Sequence, residues 1–537
     1  MDRISIFCPT LRRPEKLKRF VESILINTEV LDHLEFVFGI EESDVETKEM
    51  ILAIESALDL KLVSHKKVIF PDNKILNEKI NALYAETTGD IIFAGADDLV
   101  IVTKDWDKIV RDNFATCPDN IVISWVNDGP GSNNLPRHRI MHRRVCEILG
   151  YFEPTLFNHY FGDNYMFSVI QILNRGFYFN GIVLEHDHPA LNGAKFDKTN
   201  EQDMKYWKQD ESVFHVTKAA QQQDGYKLLK AMIDPTKMAI HNMYTKFNEN
   251  NAIFEKSQYP LGASLYKFPI KLRDKLNYKN VELTTMDKAH FGFFKNMIFM
   301  DMPNMSENEM DYTKNSGKRM YLLRMESPMI RPENYKKNIK RYFDKIWDCQ
   351  AVIDSTDRLK PIEWKDKKQY CMILCNKESE KETSLYKKRL ELIKWFEENH
   401  PDEFDLYGYG WENEDLSCYR GIAVDKLSTL SKYKYSFVFE NAAIEGYISE
   451  KIFDCYLAGT IPIYLGHPEN ASKLYLTKDT NMIDKDVSIV YNDMKVKDEN
   501  YYLNWLTYIT DYFNSDLFKK NFDIETITNN IVEELLK

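Results

Sequence analysis

Short unbroken apolar runs alternate twice along this chain with longer stretches in which apolar residues recur every three or four positions. In the first half, "ISIFCPT" reads as a strand ending in a turn. "RRPEKLKRFVESILIN" follows it with Leu17, Phe20, Val21, Ile24 and Leu25 at helical spacing. "LEFVFGI" predicts a second buried strand running into acidic "EESD", and "DIIFAGADDLVIV" a further strand broken by Ala96, Asp97 and Asp98. Such alternation predicts an α/β fold with a parallel, doubly wound sheet that takes ligands at the carboxyl ends of its strands. Near residue 216 the texture turns polar, and residues 216–257 read as a helical linker. A second alternation then begins with "NVELTTM", "NMIFMDMP" and "MYLLRMESP", followed by a charged helix over roughly 383–399, "FDLYGYGW" and a helical tail. The expected organisation is two α/β domains, 1–215 and 258–537, the second divided into lobes at about 258–365 and about 366–537.

The segment "FVFENAAIEGYISEKIFDCYLAGTIPIYLG" (437–466) carries the clearest candidate chemistry. "YSFVF" and "IPIYLG" are continuous apolar strands covered on both faces. Between them, Ile452, Phe453, Tyr456 and Leu457 share one helical face, Gly459 suits a C-terminal stop and Ser449 an N-cap. Strand, loop, helix, strand makes the two strands parallel by the right-handed crossover rule. Glu440 and Asn441 then lie just past a strand's carboxyl end, and Lys451 lies in the first turn of the next helix. A helix N-terminus with an added ammonium suits a diphosphate, while Glu440 and Asn441 suit sugar hydroxyls. A capped helix with a solvated Glu–Lys pair has the same spacing. In the first half, Asp97 and Asp98 end a strand together, and adjacent carboxylates repel unless a cation joins them. A hard divalent ion bridging to a nucleotide diphosphate satisfies them, although turns also favour aspartate for local reasons.

Composition narrows the classes. At 537 residues the chain exceeds one ordinary core, and 44% hydrophobic with 29% charged residues is a folded balance. A net charge of −12 excludes a nucleic-acid footprint of the basic-stripe kind, yet leaves room for an anionic nucleotide. Eight scattered cysteines without zinc or disulfide spacing read as reduced thiols. The chain enters a strand at once, without a signal peptide, and has no membrane-span-length apolar run. A soluble, cytoplasmic protein of a reducing compartment is expected.

Residues 437–468 resemble the signature of the α1,3-fucosyltransferases, written roughly F-x-F-E-N, Y-[IV]-[ST]-E-K and A-G-x-[IV]-P-[IV]-Y. The likeness extends through "LYKKRLELIKWFEENHPDEFDLYGYGW" and "RMESPMIRPENY", over about 258–537. It implies a two-lobed GT-B fold and inverting transfer of L-fucose from GDP-fucose to a glycan hydroxyl, with no obligatory metal. It implies donor-site roles for Glu440, Asn441, Tyr447, Glu450 and Lys451, with Lys451 stabilising the departing diphosphate. Glu326 in "MESP" matches the proposed general base, and the alternative for it is a surface glutamate at a strand end. A phosphate-facing arginine is also implied, with Arg420 preferred over Arg389 and Lys426.

Residues 1–215 resemble GT-A, family 2-like glycosyltransferases through "IFCPTLRRPEKLKRFVESI" and "TTGDIIFAGADD". That likeness implies Mn²⁺ or Mg²⁺ under a nucleotide-sugar donor, with Asp98 and His188 as metal ligands and His186 as the lesser alternative. It places Thr10, Arg13 and Asp97 on the nucleotide side, Glu41 or Asp44 at the base or ribose, and Asp163 as catalytic base unless it only caps its helix. The D-x-D motif is reduced to x-D-D here. A bifunctional glycosyltransferase is the leading expectation. The alternative is a fucosyltransferase whose first domain only binds glycan. A nucleotidyltransferase reading fails for want of a glycine-rich basic loop in "CPTLRRPEK".

Overall fold

The computed structural model describes residues 2–61, 63–187, 204–259, 266–288, 291–374, 384–483 and 485–537. The chain divides into two compact units, Met1–Ile233 with Asn315–Gly317, and Asp234–Lys314 with Lys318–Lys537.

The first unit is built on an eight-stranded sheet of β1 (Ile4–Pro9), β2 (Leu34–Glu41), β3 (Ser64–Phe70), β4 (Ile91–Ala94), β5 (Leu99–Ile101), β6 (Ile123–Asn127), β7 (Arg139–His142) and β8 (Phe177–His186). Their spatial order is β3-β2-β1-β4-β7-β6-β8-β5. The helix Pro14–Asn27 begins with proline at its first turn, where a missing N–H costs nothing, and buries Leu17, Phe20, Val21 and Ile24. β1 to β4 pair in parallel, as the alternation predicts. The expectation of a wholly parallel sheet fails at β7, which runs antiparallel to both β4 and β6, and at β5, antiparallel to β8. The loop between β6 and β7 turns the chain back without a crossover helix, so an antiparallel return is the only pairing open to it.

The second unit holds two sheets, every strand parallel. One comprises β9 (Asp234–Asn242), β10 (Glu282–Thr285), β11 (Phe294–Met300), β12 (Arg319–Arg324) and β13 (Lys345–Asp348), ordered β10-β9-β11-β12-β13. The other comprises β14 (Lys368–Ile373), β15 (Phe404–Tyr407), β16 (Tyr433–Phe439) and β17 (Ile461–Leu465), ordered β15-β14-β16-β17. The helix Lys451–Ala458 joins β16 to β17, and Gly459 closes it at φ +64°, a conformation that costs glycine nothing.

The expected helical linker over 216–257 is corrected. The helix Lys218–Ala231 belongs to the first unit, where Asp224 accepts hydrogen bonds from Tyr151 and, at 2.8 Å, from Tyr165. Residues 234–242, polar at their start, form β9 inside the second unit's first sheet, where pairing on both edges overrides composition. The lobe boundary also shifts at the carboxyl end. Ile524, Ile531, Val532 and Leu535 of the last helix pack into the core of the β9–β13 lobe, and Asn296 donates to the Leu535 carbonyl at 2.7 Å. Among the described residues, no helix is long and apolar enough to cross a membrane.

Candidate functional sites

In the second unit a cleft of about 530 Å³ lies where the carboxyl ends of both sheets converge. One wall comes from the residues that follow β9, β11 and β12, chiefly Tyr244, Asp301 and Glu326. The other comes from those that follow β14 and β16, including Asn441, Tyr447, Glu450 and Lys451.

Glu326 is held by its backbone. Its N–H donates to Asp301 Oδ1 at 3.0 Å, and its carbonyl accepts from Tyr335 at 3.0 Å. The Tyr244 hydroxyl donates to its carboxylate at 3.3 Å. Burial pushes the Glu326 carboxyl above its ordinary value and the Asp301 charge adds to this, with Lys451 opposing. Asp301 sits at φ +63°, a left-handed conformation unusual outside glycine. From there its Oδ1 also accepts the Met325 N–H at 2.8 Å and Asn334 Nδ2 at 2.6 Å.

The opposite wall is cationic. Lys451 donates to Ser449 Oγ at 3.1 Å. Lys426 lies 2.5 Å from Asp454 and 3.5 Å from Glu450. Burial opposes its charge, and those two acids outweigh it, so Lys426 keeps its proton more firmly than usual. Arg389, 4% exposed, donates to the carbonyls of Phe439 and Glu440 at 2.8 Å and to Asn441 Oδ1 at 3.0 Å. Burial likewise opposes the Glu450 charge, and Lys451 and Lys426 hold it below the usual range.

In the first unit a smaller cleft of about 290 Å³ opens at the ends of β1, β2 and β4. Thr10 donates to Asp97 at 2.8 Å, and the Arg13 guanidinium lies 3.2 Å from Asp97 and 3.7 Å from Asp98. Arg13 therefore supplies a cation to the paired aspartates. Burial still pushes Asp97 up to about 6 against that arginine. Glu41 is clamped by Lys79 at 2.5 Å and by the Asn73 N–H at 3.1 Å. Behind Asp98, His186 Nε2 lies 3.6 Å from its carboxylate and His186 Nδ1 lies 3.4 Å from Asp128. Burial, reinforced by neighbouring His186, lowers the His138 imidazole to about 4. Burial opposes the charge of Asp128, but His186 and Arg137 hold its carboxyl well below the usual range.

Residues 364–513 match the family model for glycosyltransferase family 10 (fucosyltransferase), carboxyl-terminal region. That span covers β14 to β17 and the cationic wall. The α-(1,3)-fucosyltransferase FucT of Helicobacter pylori is 49% identical over 47 residues, 9% of this chain and 10% of that protein. A fucosyltransferase-like protein of Arabidopsis thaliana is 38% identical over 66 residues, 12% of each chain. The chain thus spans about a tenth of the length of these two curated relatives. The mannosyltransferase PcManGT from Pyrobaculum calidifontis, solved with GDP-Man and Mn²⁺, is 11% identical over 43% of this chain and 74% of its own, at a TM-score of 0.30. A likeness that loose carries no argument.

The structure brings Glu326, Asn441, Tyr447, Glu450 and Lys451 to one cleft, and Thr10, Arg13, Glu41, Asp97 and Asp98 to the other. Five expectations are corrected. Glu440 is fully buried and off the wall. Its carboxylate accepts the Ser449 N–H at 2.9 Å and Ser449 Oγ at 2.6 Å, so it anchors the loop that carries Lys451. Ser449 is accordingly spent on Glu440, and the N-cap position falls to Glu450. Arg420 is drawn to Asp405 at 2.6 Å and to the Ser417 carbonyl, leaving Arg389 and Lys426 to line the cleft. Asp163 lies in the first turn of the helix Gly162–Leu173, beyond its Phe161 cap, and is not among the cleft walls. Asp44 caps the helix Val45–Leu60 through the Thr47 N–H at 3.2 Å and is committed there. His188 lies outside the described residues. Sequence reasoning missed Asp301, Asp128 and His138. Asp301 follows a strand in "FMDMP", the same strand-end signal that singled out Glu440.

Proposed function

We propose that the second unit transfers L-fucose from GDP-fucose to a glycan hydroxyl with inversion. The observation that carries this reading is a carboxylate, Glu326, facing three cations, Lys451, Lys426 and Arg389, across one cleft whose cationic side falls within the matched fucosyltransferase segment. Inversion needs a base on the face of the sugar opposite the leaving group. Glu326 takes the acceptor proton as the new carbon–oxygen bond forms, and its raised proton affinity strengthens it as a base. The bond to the diphosphate breaks on the other side, where Lys451, Lys426 and Arg389 take up the developing charge of GDP. Glu440 and Ser449 fix the loop before the donor arrives, so little reorganisation accompanies the reaction. Asn441 and Tyr447, joined at 3.5 Å, stand where donor hydroxyls come to rest.

We further propose that the first unit transfers another sugar from a nucleotide-sugar donor. Thr10, Arg13, Glu41 and Asp97 face the nucleotide in this reading. The acid and imidazole groups at the back of the cleft suit a divalent cation, which would neutralise the donor diphosphate when bound. The seven described cysteines are all free and buried, which supports a reducing compartment.

Nucleotide release from GDP-, UDP- and dTDP-sugars, with and without EDTA, tests both halves. EDTA-resistant GDP release from GDP-fucose that Lys451→Ala removes is expected. A second donor whose release is lost with EDTA and with Asp98→Ala identifies the first unit's sugar. GDP-fucose that stays inert over a broad acceptor panel overturns the assignment of the second unit.

A further inference from the structure

Three ligating side chains of the first unit meet at one rim of its sheet. Asp128 follows β6, His138 precedes β7 and His186 ends β8, and β6 pairs with both β7 and β8. Strand order alone therefore delivers residues far apart in sequence to one place.

Two of the three spacings match a coordination shell. His186 Nδ1 lies 3.4 Å from Asp128 Oδ2, His138 Nε2 lies 3.6 Å from the same oxygen, and the three donor atoms fall within 4.8 Å of one another. Donors about 2.1 Å from one tetrahedral ion lie roughly 3.4 Å apart. Directly hydrogen-bonded groups come closer, at about 2.7–3.2 Å. His138 Nε2 is buried and makes no hydrogen bond among the described residues. Around the three stands a second ring of orienting groups. Arg137 donates to both oxygens of Asp128 at 2.7 and 2.8 Å, and Asp98 lies 3.6 Å from the far nitrogen of His186. His138 and His186 line the cleft, so a fourth coordination position opens into it. The Asp97–Asp98 pair, by contrast, already has Arg13 as its cation.

We propose that Asp128, His138 and His186 bind one borderline divalent transition-metal ion, of the Zn²⁺, Co²⁺ or Mn²⁺ class, with Asp98 orienting His186 rather than ligating. A carboxylate and two imidazoles select such an ion over Mg²⁺ or Ca²⁺, which prefer oxygen. The proposal holds whether or not the first unit transfers sugar, because the probe is the ion alone.

The test is a titration of the chelator-stripped full chain with Co²⁺, read by its visible ligand-field bands and by calorimetry. One equivalent with a four- or five-coordinate spectrum is expected. His138→Ala should weaken binding by at least about tenfold, while Asp98→Asn should weaken it less. His138→Cys should keep the ion and add a thiolate-to-Co²⁺ charge-transfer band, a gain that a misfolded variant does not produce. Absence of a bound equivalent in the native chain overturns the proposal. So does unchanged affinity in His138→Ala, or a greater loss in Asp98→Asn or His188→Ala than in His138→Ala.

Discussion

The first unit's cleft gathers acids and imidazoles around a single clamped arginine, whereas the second unit's cleft sets lysines and an arginine opposite Glu326 and its neighbour Asp301. Both arrangements stand at the carboxyl ends of parallel strands, and both suit a nucleotide diphosphate. The difference lies in where the compensating positive charge comes from. The second unit carries its own, on Lys451, Lys426 and Arg389, and on the proposed reading keeps Glu326 for proton transfer. The first commits Arg13 to its own aspartates and Lys79 to Glu41, and on the proposed reading adds a divalent cation. On the proposed reading, the second cleft works with its own cations and the first takes a divalent ion.

That contrast can be broken most sharply at Glu326. Glu326→Gln is expected to lower fucose transfer roughly 10²–10⁴-fold, the usual contribution of a general base, measured as GDP release with acceptor present. Lys451→Ala should cost roughly 10²–10³-fold, as losing one preorganised charge partner does, and that residual rate should stay indifferent to EDTA. Asp98→Ala should remove the EDTA-sensitive release from the second donor, so the ratio of the two activities separates the clefts. A base works only when deprotonated, so the second unit's rate should fall as pH drops through a Glu326 pKa lying above the ordinary carboxylate range. The groups acting on it are Asp301 and Tyr244 on its own lobe and Lys451, Glu450 and Tyr447 across the cleft. Asp301→Asn removes a raising charge and should move that acid limb to lower pH. The smallest effect belongs to Arg420→Ala. Arg420 is partly exposed and buried Asp405 keeps Lys368 and Tyr433 as partners, so the loss costs no more than about 1 kcal/mol of stability, and the KM for GDP-fucose should not change.

Where local pattern and tertiary pairing agreed, the fold was legible beforehand. β16, the helix Lys451–Ala458 and β17 are continuous apolar runs around one amphipathic turn, so Asn441 and Lys451 could be placed at a strand end and a helix start. Glu440 was placed correctly along the chain and wrongly in space. Alternation fixes which face a strand residue takes, but the residue just beyond the strand turns wherever its loop allows, and here Ser449 captured it. Arg420 was the preferred phosphate-facing arginine, yet it is spent on Asp405. Arg389 reaches the cleft from a helix some fifty positions upstream of Asn441, whose start is tied to that residue by the Leu385 N–H at 3.3 Å. Asp128 and His138 gave no local sign, because only the antiparallel turn of β7 beside β6 brings "ND" and "RH" together. β9 was hidden for the same reason, its strand character coming from its neighbours rather than its own residues.

The burial of Glu440 bears on any attempt to re-engineer the second cleft. A carboxylate with both oxygens occupied inside the protein is a keystone for residues 447–451, and replacing it would deform the cationic wall for every donor alike. The aromatic residues Tyr244, Phe247 and Tyr259 on the facing lobe carry no such duty toward that loop. A mutant library aimed at new acceptor glycans should therefore vary Tyr259 and leave positions 244, 440 and 449 fixed, since Tyr244 donates to Glu326 and Phe247 is a core residue.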